Sequence, residues 1–101
     1  MTYAVRWWEN DGPQFAGGLL LDGTGLELTG TATGARPTRR VLHFDDVREL
    51  YLERAAGQGG QPSLVIVLRD GDRVAIASLQ GLGALHEVAD QVAAGRSKVT
   101  V

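Results

Sequence analysis

A two-residue period of hydrophobicity runs through most of this chain, and it limits the fold more than any other feature of the sequence. Alternation, or enrichment in β-branched and aromatic residues, marks seven short segments: 3–9, 14–21, 26–29, 39–44, 47–54, 63–69 and 73–79. Turn sequences such as "NDGP", "DGTG" and "DGD" separate several of them, and the Asp-Gly turns are expected to supply the positive φ of tight hairpins. Short links join antiparallel neighbours, so the chain is predicted to be mainly β, a seven-stranded antiparallel barrel or sandwich.

The period lengthens to that of a helix near the end of the sequence, in "LGALHEVADQVAAG". One stripe of this segment is apolar and consists of Leu82, Leu85, Val88, Ala89 and Val92. The polar residues predicted to face away from it are His86, Glu87, Asp90 and Gln91. We expect a helix over about 82–94 that caps the strands, ended by Gly95 in a left-handed conformation. The tail 96–101 is expected to fray or to add an edge strand, within a single domain of residues 1–101.

Composition excludes several classes of function. The formal net charge of -2 offers no electrostatic basis for binding nucleic acid, which favours a basic face. The chain has no cysteine, which excludes disulfides, thiolate catalysis and cysteine-ligated zinc. The start "MTYAVRWWEND" lacks the basic and apolar regions of a signal peptide, and no apolar run reaches the ~18–20 residues of a membrane span. We therefore expect a soluble cytoplasmic protein.

The order of these elements resembles the pleckstrin-homology-like superfamily, including its bacterial and GRAM-type members. The segment "RRVLHFDDVREL" is similar to the family's strand–acidic step–strand, and "LVIVLRDGDRVAIASLQGLGALHEVADQV" to its last hairpin and capping helix. The resemblance covers nearly the whole chain and implies a seven-stranded barrel with a C-terminal helix that works as a binding module. The helix lacks the tryptophan of the eukaryotic type, and the basic phosphoinositide pattern between the first two strands is missing.

His43, Asp45 and Asp46 are the first candidates for chemistry, because a histidine beside two carboxylates could hold a metal ion or exchange protons. A metal site would need more ligands, and the other histidine, His86, is expected on the outer side of the helix. We interpret the two aspartates as residues that turn the chain between strands, and the resemblance implies that their side chains cap that turn by hydrogen bonds to the backbone. No metal and no cofactor is predicted.

A serine triad could be assembled in principle from Ser78, His86 and Asp90. The presence of the three residue types does not define a triad, because their relative geometry does, and no segment of the sequence resembles a nucleophile elbow. We therefore predict no catalytic residue and no enzyme, and a small hydrolase or metalloenzyme is the weakest hypothesis. Gly17 and Gly18 are interpreted as positions of strand bending or close packing, because the lysine of a phosphate loop is missing.

Three arginines within five residues, Arg36, Arg39 and Arg40, form a candidate site for an anion or an acidic partner. The resemblance implies that their loop lies at the open end of the fold, beside "NDGPQ" and "RDGDR", whose aspartates would partly offset the positive charge. The alternative is an ordinary solvated loop. A membrane lipid is therefore a disfavoured ligand.

Trp7 and Trp8 are adjacent, so in a strand they face opposite ways, one toward the core and one outward. Val65 and Val67 are expected on the outer face of the sixth strand, where they could join the outward tryptophan in an apolar patch. The alternatives for this patch are an interface for a partner or a second copy, and simple cover by the helix or tail.

The leading hypothesis is a non-enzymatic interaction module that acts through protein contacts, including self-assembly; the second is a module that binds lipid or another anionic ligand.

Overall fold

The computed structural model describes residues 2–10, 12–32, 36–54 and 62–99. The elements are β1 (Thr2–Glu9), β2 (Phe15–Leu21), β3 (Gly25–Thr31), β4 (Thr38–His43), a 3-10 turn (Phe44–Asp46), β5 (Val47–Arg54), β6 (Pro62–Leu68), β7 (Arg73–Ser78) and α1 (Leu82–Val99). The prediction of a mainly β protein with seven antiparallel strands and one C-terminal helix is confirmed.

All seven strands belong to one antiparallel sheet in the order β4-β3-β2-β1-β7-β6-β5, which curls into a half-barrel. The first and last strands of the chain, β1 and β7, lie side by side in the middle and join the two halves. The edges are β4 and β5, and the 3-10 turn carries the chain from one edge to the other. No helix of the described residues has the length and hydropathy of a transmembrane segment.

The concave, inner face of the sheet carries the core, as the alternation predicts. Trp7 is fully buried there and stacks on Phe15 with 4.6 Å between ring centroids. Its indole N–H donates to the carbonyl of Thr29 at 3.1 Å. A Cβ on Gly17 would overlap that same Thr29 carbonyl, whereas Gly18 has ordinary room. The prediction of close packing is therefore confirmed for Gly17.

Helix α1 packs its apolar face onto the inner side of the sheet, where Leu85, Val88 and Val92 are buried in the core cluster. Two of the polar residues expected to face away make contacts with the sheet instead. The Tyr3 hydroxyl donates to Glu87 at 2.9 Å and accepts from the Gln91 amide at 3.2 Å. Burial raises the pKa of Tyr3 above its usual value, and the hydrogen bond to Glu87 and the charge of that carboxylate raise it further.

The predicted end of the helix is wrong. α1 continues through Gly95 to Val99, so residues 96–99 are helical and do not form an edge strand; residues 100 and 101 lie outside the described residues. A Cβ on Gly95 would overlap the ring of Phe44 in the 3-10 turn. This glycine therefore permits close contact between helix and turn, and it is not a left-handed cap.

The two Asp-Gly turns differ. Gly71, between β6 and β7, has a φ of 97°, as predicted for a tight hairpin. Gly23 is not among the described residues with positive φ, so that expectation is wrong for the turn between β2 and β3. There the Asp22 carboxylate organises the turn instead, by accepting hydrogen bonds from the Thr24 and Gly25 N–H groups.

Candidate functional site

The convex, outer face of the sheet carries a second apolar cluster, separate from the core. This outer cluster consists of Trp8, Tyr51, Val65, Val67 and Ala75. Every member lies on a strand, and four of them form one row across the sheet in the order Trp8, Ala75, Val65, Tyr51. The two valines are 4% exposed each, while the aromatic side chains that pack against the buried members are half-buried. The aromatic rings are therefore the part of the cluster that a partner would meet.

The two tryptophans are divided as predicted, with one in the core and one on the outer face. Trp7 is completely buried, so it cannot contribute to an interface, and only Trp8 remains of that pair. Helix α1 buries its apolar face on the other side of the sheet, so it does not provide the cover that was the alternative for Val65 and Val67. Tyr51 was not among the residues predicted for this patch. The signal that could have identified it is its alternation with Leu50 and Leu52, which puts it on the same face as Glu49 and Glu53.

Charged side chains flank the outer cluster, with opposite signs on its two sides. Arg6 on β1 and Arg73 on β7 are exposed on one side, and Glu49 and Glu53 on β5 are exposed on the other. The register places Arg73 beside Val67 and Val67 beside Glu49, in the row next to that of the aromatic residues. The outer face is thus apolar in the middle, basic toward β1 and acidic toward β5.

The three arginines of the predicted anion site do not converge. Arg39 and Arg40 lie in β4 rather than in a loop, so their side chains leave opposite faces of the sheet. Arg39 forms a bidentate pair with Glu27, with distances of 2.7 and 3.2 Å. Arg40 Nε lies 3.0 Å from a carboxylate oxygen of Glu9, and Arg36 is exposed before the strand. The strand predicted over 39–44 therefore contains two of the three arginines, which face carboxylates from opposite sides of the sheet, so the three do not form one basic loop.

A cleft of about 260 Å³ lies between the β4 edge and the turn that joins β6 to β7. Arg40 and Arg69 line it together with Asp46 and Asp70, so positive and negative charges are mixed there. Arg69 is engaged with the 3-10 turn, since its Nε–H donates to the carbonyl of Asp45 at 2.6 Å. Arg40 Nε is buried and, although close to Glu9, is not aligned for a hydrogen bond with it. Of the aspartates and arginines expected to be neighbours, this cleft brings together Asp70 and Arg40.

His43, Asp45 and Asp46 occupy the end of β4 and the 3-10 turn, so they do link two strands. The expected side-chain capping is not what holds this turn: the carbonyls of Asp45 and Asp46 accept hydrogen bonds from the side chain and the backbone of Arg69. Within residues 2–10, 12–32, 36–54 and 62–99, no group of three or more His, Cys, Asp or Glu side chains could hold a metal ion.

Of the three residues of the hypothetical triad, Ser78 lies in a local turn, and His86 and Asp90 lie on the helix. The Ser78 hydroxyl accepts a hydrogen bond from the backbone N–H of Gln80 at 3.0 Å, within a local turn after β7. His86 and Asp90 are exposed on α1.

Comparison with known proteins supports the fold and nothing finer. No family model matches the chain, and no curated protein sequence matches it. Among solved structures, the chain is similar to the crystal structure of the C-terminal domain of an unknown protein from Leishmania infantum. The TM-score is 0.69 at 13% sequence identity, over 91% of this chain and 81% of that chain. At this identity the likeness concerns the architecture alone.

Proposed function

We propose that the protein is a non-enzymatic interaction module of pleckstrin-homology-like fold, which works in the cytoplasm through protein contacts made by its outer face, self-assembly included. The order of seven strands and a C-terminal helix supports the assignment to that superfamily. The observation that carries the functional proposal is the outer cluster, an apolar group with two aromatic side chains on the sheet face that lies opposite α1.

The composition of the outer cluster suits a protein interface. Trp and Tyr are enriched among the residues that dominate binding energy, because a rigid ring buries a large area at a small cost in side-chain entropy. Trp8 and Tyr51 are both half-buried and pack against the valines and alanine of the cluster, so much of each ring is already held in place. Binding would therefore immobilise few additional side-chain torsions, and its cost in conformational entropy would be small.

An anion-binding function has weaker support, because Arg39 and Arg40 are each close to a carboxylate and extend from opposite faces of β4. Catalysis has weaker support too. The side chains that could have acted as nucleophile or base, Ser78 and His86, lie in a local turn and on the exposed side of α1.

The proposal is tested by measuring self-association by sedimentation velocity from micromolar to millimolar protein. We expect concentration-dependent dimerisation of the natural protein, and at least tenfold weaker association of Trp8→Lys, because a charged group would replace a central apolar anchor. Val41→Lys is the matched control: this valine is 42% exposed on β4, three strands away from β1, and the substitution adds the same charge.

Circular dichroism and thermal melting would establish that both variants remain folded. A natural protein that stays monomeric throughout the range would contradict self-assembly and would favour the docking of a different protein, or simple cover by the tail. Equal weakening by the two lysine substitutions would contradict the assignment of the interface to the outer cluster.

A further inference from the structure

We infer that the outer face binds the same face of a second copy, about a two-fold axis that runs parallel to the strands. This inference rests on the proposed function, and it specifies both the partner and the arrangement. The observation that carries it is the distribution of charge about the outer cluster, which is complementary to itself under one rotation and not under the other.

The strand register gives each outward residue a position on a grid. In the middle row, Trp8 lies at the β1 side and Tyr51 at the β5 side. One row lies beyond Trp8 toward the start of β1, with Arg6 at the β1 side and Glu53 at the β5 side. The opposite row contains Arg73 on β7 and Glu49 on β5.

A two-fold axis parallel to the strands exchanges β1 with β5 and β7 with β6, while each row keeps its place along the strands. Arg6 then faces Glu53 of the second copy, and Trp8 faces Tyr51 of the second copy. Arg73 falls opposite Val67 of the second copy, beside its Glu49. Every contact occurs twice, as in any isologous interface. Two sheets that pack face to face keep their strands aligned to within about 30°, which agrees with this arrangement.

The alternative two-fold axis, perpendicular to the strands but still in the plane of the sheet, is disfavoured by charge. It places β5 on β5 and exchanges the outer rows, so Glu49 of one copy meets Glu53 of the other. Like charges placed opposite one another across an interface oppose association. The charge pattern therefore selects the parallel axis.

The size of the surface predicts a weak dimer. Four strands about 4.8 Å apart and three rows about 7 Å apart cover roughly 400 Å² on each copy. A stable interface typically buries about 800 Å² per partner. We therefore expect a reversible dimer with a dissociation constant in the upper micromolar range, weakened further by salt because its charge pairs are at the rim.

Charge-swap complementation tests the arrangement directly. The Arg6→Glu variant sets a new carboxylate against Glu53 at both symmetric contacts, and the Glu53→Arg variant sets a new guanidinium against Arg6 at both. Each variant alone should therefore dimerise at least tenfold more weakly than the natural protein. In a heterodimer of the two variants, one contact is the natural pair of Arg6 and Glu53. The other contact joins the two substituted side chains, whose charges are again opposite. An equimolar mixture of the variants should therefore form a heterodimer with close to natural affinity. The control is Arg36→Glu, an exposed position before β4, which should dimerise like the natural protein and should not rescue Glu53→Arg.

The outcomes separate this inference from the proposed function. Recovery of association in the mixture supports the parallel two-fold arrangement. A mixture that associates no better than its components overturns it, while the proposed function stands if the natural protein dimerises and Trp8→Lys does not. A monomeric natural protein would overturn both the two-fold arrangement and self-assembly.

Discussion

At the scale of single residues, the Asp22 carboxylate organises the turn between β2 and β3. Its Oδ1 accepts hydrogen bonds from the Thr24 N–H at 2.7 Å, the Thr24 hydroxyl at 2.9 Å and the Gly25 N–H at 2.9 Å. These bonds favour the ionised form and lower the pKa of Asp22 below its usual 3.8, with a small further contribution from the charge of His43.

The lowered pKa predicts how the stability of the protein changes in acid. Because the folded-state pKa lies below the unfolded-state value, the contribution of Asp22 to stability is present above 3.8 and is lost as pH falls through the folded-state pKa. We expect the natural protein to exceed Asp22→Asn in free energy of unfolding at neutral pH, and the difference to shrink between about pH 5 and about pH 2. Urea titrations at several pH values measure it. Asp90→Asn, at an exposed helix position, is the control, and a pH-independent difference for Asp22→Asn would contradict the prediction.

At the scale of elements, α1 is held by one apolar face and by a polar contact at its side. Leu85 is 1% exposed in the core, whereas its neighbour His86 is exposed. Tyr3 connects β1 to the helix through Glu87 and Gln91. The helix lies close to the 3-10 turn at Gly95, just beyond its predicted end.

This packing predicts unequal effects of two adjacent substitutions. Leu85→Ala should destabilise the protein by about 2–5 kcal/mol, because it removes buried methyl groups and leaves a cavity between helix and sheet. His86→Ala should change the free energy of unfolding by less than about 0.5 kcal/mol, as is usual for surface positions. Chemical denaturation of both variants provides the comparison. Equal losses would mean that α1 is rotated relative to the arrangement described above.

At the scale of the whole molecule, the charges are distributed in a way that disfavours membrane surfaces. The chain has a formal net charge of -2, and two of the three arginines of the predicted anion site face Glu27 and Glu9. Lipid headgroups attract clusters of four to eight basic residues at about 1 kcal/mol each, and salt screens such attraction beyond about 8 Å.

We therefore expect no appreciable co-sedimentation with phosphoinositide-containing liposomes at ~0.15 M salt. We expect the same result when Arg36, Arg39 and Arg40 are all replaced by Gln. Replacement of Arg6 and Arg73 is the control for the loss of positive charge elsewhere, and it should also leave the result unchanged. Tight binding that disappears only with the triple replacement would favour the lipid-binding hypothesis over protein contacts.

The sequence by itself determined which segments are strands, which residues face the core and which face of the helix is apolar. These features depend on local periodicity: two residues per repeat in a strand and 3.6 in a helix place each side chain on a definite side without knowledge of the neighbours. Leu85 was therefore assignable to the core, and Trp7 and Trp8 to opposite faces of one strand, before the tertiary structure was considered.

Only the tertiary structure decided which strands are neighbours, and the contacts that carry the proposals depend on that order. Because β1 lies between β2 and β7, Trp8 joins a row that ends at Tyr51, and basic and acidic residues distant in sequence flank one apolar cluster. The approach of Gly95 to Phe44 was decided in the same way, since the turn between the sheet edges places Phe44 against the helix. Periodicity specifies the side on which a residue lies; the pairing of strands, set by the summed packing of the whole chain, specifies what it meets there.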